Sequence, residues 1–399
     1  MIKDIKQEKF GFKIIKKDSK SKARVGRITT VHGVIETPSF VAVGTQATVK
    51  GLSPKDIKEA GVQLLFGNTY HLHLRPGEDV VKKFGGVGKF MGWNGPTITD
   101  SGGFQIFSLG QKKIKILQED EEANLVNIAD DGVIFRSHID GSKHTFTPEV
   151  SIEIQKKLGA DIILAFDECV PHPSTHEYTK EAMQRTHHWA PRSLKAGQGK
   201  QFYPWKQALY GIIQGGIYKD LRQESAKFIS ALSFDGIAIG GVSVGESKKE
   251  MRDAIDWSMP FLPSEKPRHL LGIGEIDDIF DAIERGIDTF DCVIPTRFGR
   301  YGIVFVSPQE GNIKNRFRID INKTIFAKDQ SPIAKDCLCY TCQSFTRGYL
   351  HHLFRAQELL AYRLASYHNM FFINDLVKKI RKGILNDEFA KFKKQWLSL

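Results

Sequence analysis

The sequence predicts an α/β fold, a (β/α)8 TIM-type barrel, with a β-insertion after the third barrel strand and a cysteine-rich subdomain near the C-terminus. Three observations predict it. Eight short apolar or β-branched runs recur along the chain, amphipathic stretches with helix start signals lie between most of them, and two segments break the spacing. Near-continuous hydrophobic runs suit parallel strands buried on both faces. Eight of them alternating with helices close into a barrel. A doubly wound open sheet is the alternative, and the lack of G-x-G-x-x-G after the first strand counts against it.

The eight runs are residues 38–44, 62–68, 95–100, 161–167, 208–214, 236–241, 268–274 and 288–294. Ser53 before Pro54 and Thr147 before Pro148 read as N-cap and first helical residue. Segment 105–145 is too long for one loop. Alternation at 123–129 and 132–138 makes it the β-insertion. Segment 300–368 is irregular and carries the cysteines, and the chain after Asn374 reads as a basic helix.

Of 399 residues, 41% are hydrophobic and 26% charged, an ordinary soluble globular composition. No run approaches ~18 apolar residues, so no membrane helix is expected. The charged first ten residues lack the apolar core of a signal peptide. Lys and Arg number 57 against 46 Asp and Glu, a formal net charge of +11, which suits a polyanionic partner without requiring one.

Three of the five cysteines, Cys337, Cys339 and Cys342, lie within six residues. That is poor spacing for a disulfide framework and good spacing for a metal, so a reducing, cytoplasmic compartment is expected. A dense thiolate set suits tetrahedral Zn²⁺, and a closed site needs a fourth ligand. His351, His352 and His368 are the candidates. The stretch from Cys342 to Tyr367 reads as largely helical, with His368 at its end, where the chain is expected to turn back. His368 is therefore preferred, and a fully protein-ligated ion is structural. The expected organisation is a single catalytic barrel over 1–399, a zinc-binding subdomain inserted at 303–375 and a basic helix at 376–399. Cys292, on the eighth strand, reads as core.

Chemistry in such a barrel sits at the C-terminal ends of the strands. Those ends hold Asp100-Ser101-Gly102-Gly103-Phe104-Gln105, Asp167-Glu168-Cys169, Gln214-Gly215-Gly216, Gly240-Gly241 with Glu246 behind, and Phe290-Asp291-Cys292. Any one aspartate there can be a helix N-cap. Several carboxylates, a glutamine and two Gly pairs on one rim suit a flat heterocycle instead. Glycine lets backbone approach closely, a carboxylate accepts from paired donors, an amide donates to a carbonyl, and a phenyl ring stacks. Guanine presents that pattern. Asp100 and Asp291 remain as a pair for acid/base and nucleophilic work at a glycosidic carbon.

With the motif Cys-x-Cys-x₂-Cys…His and the Pro295-Thr296-Arg297 segment, these residues make the chain similar to bacterial tRNA-guanine transglycosylases over nearly its whole length. The resemblance implies exchange of guanine for preQ1 (7-aminomethyl-7-deazaguanine) at the anticodon wobble position of tRNAs with GUN anticodons, those for aspartate, asparagine, histidine and tyrosine. This is a step of queuosine synthesis. It implies Asp291 as the nucleophile that forms a covalent RNA intermediate and Asp100 as the general acid/base. Asp100, Ser101, Gly102, Gly103, Phe104, Asp167, Gln214 and Gly241 match the base-binding set. Gly272, Ile273, Gly274, Glu275, Ile276, Asp277 and Asp278, with Thr296, Arg297, Phe298, Gly299 and Arg300, match the segments that hold the anticodon loop. Cys337, Cys339, Cys342 and His368 match the ligands of one structural Zn²⁺.

The resemblance further implies a homodimer, with Phe345, Tyr349 and Tyr362 as interface candidates. Cys169 and Val244 are bulky enough to admit preQ1 and hinder queuine. Phe104 and Leu271 depart from the common Tyr and Met. Two rival readings lack support. A non-catalytic tRNA-binding subunit of the same fold should have lost a catalytic carboxylate, and both are present. A metal-dependent hydrolase needs His and carboxylate ligands at the strand ends, where no paired His occurs.

Overall fold

A computed structural model describes residues 10–114 and 126–398. The chain opens with an antiparallel three-stranded sheet, β1 (Gly11–Lys17), β2 (Arg24–Thr30) and β3 (Gly33–Thr37), in the order β1-β2-β3. This sheet is not legible in the sequence, because the apolar residues of β1 alternate with lysines and merge with the charged N-terminus. Next come β4 (Ser39–Gly44), β5 (Leu65–Gly67) and β6 (Thr97–Thr99). The insertion follows as β7 (Val126–Ala129), β8 (Gly132–Arg136) and β9 (Lys143–Phe146), its own antiparallel sheet. Residues 123–125 of the expected first strand of the insertion lie outside the described residues.

The chain then resumes with β10 (Ile162–Leu164), β11 (Ala208–Ile213), β12 (Gly236–Ile239), β13 (Arg268–Leu270) and β14 (Thr289–Cys292). Strands β4, β5, β6 and β10 to β14 pair in parallel and close into a barrel. All eight fall inside the eight apolar runs. Each strand buries both faces. Ile162 and Leu164 join the cluster inside the barrel with Tyr210 and Ile212. Ile163, between them, packs outward in the core that includes Leu209. Continuous Ile/Leu/Val runs are the result. Ile28 and Ile35 of the N-terminal sheet join the inner cluster with Phe10, whose ring meets Tyr210 edge-on at 6.0 Å. The sheet therefore stoppers one end of the barrel. Arg24 pins it there through a buried bidentate ion pair with Asp288.

Ser53 caps helix Pro54–Glu59 in a capping box with Asp56, and Thr147 caps helix Pro148–Leu158, as their sequences predict. The insertion docks on helix Thr69–Leu74 through Tyr70 Oη with His138 Nδ1 and His73 Nε2 with His144 Nδ1, each at 2.9 Å.

After β14 the chain forms helix Ile294–Arg300, then the small antiparallel pair β15 (Ile303–Phe305) and β16 (Arg318–Asp320). Three helices follow, Tyr340–Ser344, Arg347–Arg355 and Leu359–Leu385. The last corrects the expected turn after His368. Its ring sits in mid-helix, because buried residues such as Met370, Ile373, Leu376 and Val377 continue the apolar face past it. The same helix runs unbroken through position 375 and ends only at Leu385. The basic tail is therefore two elements, the second being Phe389–Leu397. That second helix is no merely solvated face. Trp396 packs on Phe280, Phe317 and Phe372, and Lys393 pairs with Asp281 and Glu284. Gly299 lets helix Ile294–Arg300 meet helix Leu359–Leu385, since a Cβ there would lie 2.6 Å from the Ser366 backbone.

Candidate active site

The C-terminal rim of the barrel gathers the predicted residues from six strands. Asp100 follows β6 directly. Thr69 N–H donates to its Oδ1 at 2.7 Å and Asn68 Nδ2 donates to its Oδ2. Both donors come from the end of β5 and the helix after it. Burial pushes the Asp100 carboxyl up to about 7, and the nearby charges of Asp167 and Asp291 add to the rise. Its carboxylate therefore accepts from another strand's helix rather than capping its own.

Asp167 follows β10 and is buried. Ser101 Oγ donates to Oδ1 and Gln214 Nε2 to Oδ2, each at 2.7 Å. Burial lifts this carboxyl to about 6, partly offset by those two bonds. Its neighbour Glu168 turns the other way into a buried pair with Arg185 at 2.6 Å. Gln214 and Gly241 are likewise buried, and Gly241 adopts φ +61°, where a Cβ would strike Gln214 Oε1. Phe104 stands 46% exposed at the rim, with a ring face available for stacking. Glu246 accepts from the main-chain N–H groups of Ser243 and Val244, tying down the loop after β12.

Asp291 lies on β14 and accepts from Gly272 N–H at 3.4 Å. His269, fully buried on β13, holds its Nδ1 against Thr289 Oγ1 at 3.0 Å and its Nε2 3.3 Å from Asp291 Oδ1. Cys169 and Cys292 are buried, and burial drives each thiol to about 12. At neutral pH they are protonated and are not nucleophiles.

The residues matched to anticodon-loop binding divide. Gly272 and Arg297 are exposed, and Arg300 is half-buried beside Arg297. Ile273, Ile276, Asp278, Thr296 and Gly299 are buried, so their side chains serve the scaffold. Asp277 and Asp278 pair with Lys248, at 2.6 and 3.0 Å. Glu275 pairs with Arg318 at 2.8 Å, whose guanidinium lies over the ring of Phe298 at 4.6 Å. This acidic run is thus neutralised by the protein's own cations.

Cys337, Cys339, Cys342 and His368 are buried with their ligand atoms within 4.8 Å of one another. The Cys339 and Cys342 sulfurs lie 3.4 and 3.3 Å from His368 Nδ1, and Cys337 lies 3.8 Å from it. His368 Nε2 donates to Phe305 O at 2.8 Å, so the ring turns Nδ1 toward the sulfurs. These are the donors and the spacing for one tetrahedral ion. His351, the rejected candidate, instead bonds Ile321 O.

Sequence reasoning missed Asn68, His269 and Arg222, the last buried behind the Gly240–Gly241 turn. Asn68 ends an apolar run and was legible by the same rim argument. His269 sits inside a strand, and Arg222 looks like any helix-surface arginine.

The family model described as queuine tRNA-ribosyltransferase matches residues 18–399. A queuine tRNA-ribosyltransferase of Caldanaerobacter subterraneus subsp. tengcongensis is 49% identical over 386 residues, covering 97% of this chain and 96% of the relative. One from Roseiflexus sp. is 47% identical over 401 residues, covering 97% and 99%. One from Herpetosiphon aurantiacus is 49% identical over 380 residues, covering 95% and 90%. With its closed parallel barrel and this match along almost all of its length, the chain belongs to the queuine tRNA-ribosyltransferase family.

Proposed function

We propose that this enzyme exchanges guanine for preQ1 at the wobble position of GUN-anticodon tRNAs by double displacement. The observation that carries the reading is the convergence of three carboxylates on one rim, one held near neutrality in its titration. Asp167 accepts from the base's ring N–H and amine, while Gln214 and the Gly241 N–H donate to its carbonyl. Phe104 stacks on the ring.

Asp291 attacks the anomeric carbon, and the electron pair of the glycosidic bond leaves with guanine. The ribose is then esterified to Asp291. Asp100 protonates the departing base, and its carboxylate takes the corresponding proton from incoming preQ1, whose nitrogen displaces Asp291. Two inversions at one carbon give retention. The reaction exchanges like bonds, so the chain's own residues carry each proton.

Arg297 and Arg300 meet the phosphates of the anticodon loop, with the target base splayed toward the rim. The metal is Zn²⁺, held by Cys337, Cys339, Cys342 and His368, and its role is structural. Cys169 and Val244 set preference for preQ1. The active form is a homodimer in the cytoplasm. Of the aromatic candidates for its interface Tyr349 is exposed, whereas Phe345 and Tyr362 are partly buried against the core, so the apolar surface for a second copy is Tyr349 with Leu338 and Tyr340. Among the described residues no helix is long and apolar enough to cross a membrane.

The test is exchange of radiolabelled guanine into unmodified tRNA, with preQ1 and queuine as competitors. Incorporation blocked by preQ1 alone supports the reading. Block by queuine overturns the role of Cys169 and Val244. No incorporation by folded, metal-loaded protein overturns the activity.

A further inference from the structure

Arg222 lies in the first turn of helix Lys219–Ala231 and has no exposed surface. Two effects disfavour a cation there, loss of water and the positive end of the helix. Burial pulls its guanidinium down to about 10, which still leaves it charged at neutral pH. Its hydrogen-bond partners are main-chain carbonyls. Nε donates to Gly216 O at 2.6 Å, Nη1 to Gly240 O at 2.7 Å, and Nη2 to Gly241 O at 2.7 Å. A longer bond, 3.5 Å, reaches Ile213 O. One side chain therefore ties together the Gly-rich turns that follow β11 and β12.

The acceptor at Gly240 is the informative one. Its carbonyl belongs to the same peptide unit as the Gly241 N–H. A cationic donor on the C=O side of an amide polarises it and makes its N–H a stronger donor. It also fixes the plane of that peptide. Gly241 carries no side chain and sits at φ +61°, so this turn cannot be held from its own Cβ.

We propose that Arg222 is a positioning residue for base exchange, aiming and polarising the Gly241 N–H toward the carbonyl oxygen of the base. The inference rests on the reading of that N–H as the donor to the base. Its effect grows as the glycosidic bond breaks, because the departing electron pair spreads negative charge onto the same carbonyl oxygen. A donor fixed there beforehand binds the transition state better than the ground state.

The test compares guanine with 6-thioguanine, which keeps the ring N–H and amine but carries a poorer acceptor. Binding of each base to wild type, Arg222→Lys and Arg222→Met is measured by calorimetry, with melting curves to establish folding. Wild type is expected to prefer guanine. Arg222→Met should weaken guanine binding roughly tenfold while 6-thioguanine binding changes little, erasing the preference. In guanine exchange, kcat should fall further than KM rises. Arg222→Lys keeps the charge and loses the planar fork, so it should retain part of the preference. It carries the test if the methionine variant does not fold. Equal weakening of both bases in the variants, with the preference intact, makes Arg222 a brace and overturns the proposal. A wild type indifferent to the carbonyl overturns the Gly241 reading itself, and the proposal with it.

Discussion

Gln214 donates its side-chain N–H to Asp167 at 2.7 Å, so the donor and acceptor assigned to the base satisfy each other when no base is between them. A base that enters replaces this bond rather than filling bare polar groups, and net affinity is the difference between the two sets of bonds. Asp167→Asn presents a donor where an acceptor is needed and should weaken guanine binding by about 2–3 kcal/mol, read by calorimetry. Unchanged affinity would remove Asp167 from the pocket.

Asp291→Ala removes the proposed nucleophile. It should abolish the covalent RNA adduct on denaturing gels while tRNA affinity, measured by filter binding, stays within about threefold. An adduct that survives the substitution assigns the attack to another residue.

Asp100 titrates near 7 because burial penalises its charged form. On the proposed mechanism, attack by the incoming base needs the Asp100 carboxylate. The rate of preQ1 incorporation into preformed adduct should therefore climb with pH through about 7, and Asp100→Asn should flatten that limb. The same shift has a stability consequence. The folded pKa lies above the unfolded value, so its contribution is present below about pH 4 and is lost as pH rises through about 7. The melting temperature of Asp100→Asn relative to wild type should thus improve from pH 4 to pH 8, by the equivalent of roughly 1–3 kcal/mol. A gap that does not change with pH would contradict this.

Cys339→Ser takes one sulfur from a buried site whose histidine is locked to Phe305. Metal content by mass spectrometry should fall well below one per chain, and the melting temperature should drop by several degrees. Because Ser366 and Asn369 of the same helix bond Thr296 O and Pro295 O, tRNA binding should weaken more than guanine binding. One ion per chain retained in the variant would mean a different ligand set.

Arg24→Ala leaves Asp288 buried beside β14 without its bidentate partner. Loss of one member of a buried pair should cost about 3–5 kcal/mol in denaturant unfolding. A cost under about 1 kcal/mol would show that the N-terminal sheet is held by its apolar contacts alone.

The barrel was legible because its strands are buried on both sides, which writes them as unbroken apolar runs. Asp100 and Asp167 were legible because each closes an apolar run, as Asn68 and Gln214 do, and Asp291 because a charge interrupts the eighth. What stayed hidden depends on contacts between distant segments. In the N-terminal sheet the first strand alternates with lysines and the other two mix apolar with charged or hydroxyl residues, so they gave no run to count. His269 and Arg222 earn their interest only from what lies opposite, Asp291 in one case and the Gly240 carbonyl in the other. The expected turn after His368, on which its choice as ligand rested, is absent, because the apolar face of helix Leu359–Leu385 continues past it.

The stopper formed by Ile28, Ile35 and Phe10 closes one end of the barrel and leaves the carboxylate rim at the other. On the proposed mechanism the anticodon loop, the expelled base and its replacement would all approach that rim. Guanine would then leave before preQ1 enters, and the ester to Asp291 would keep the RNA in place during that interval.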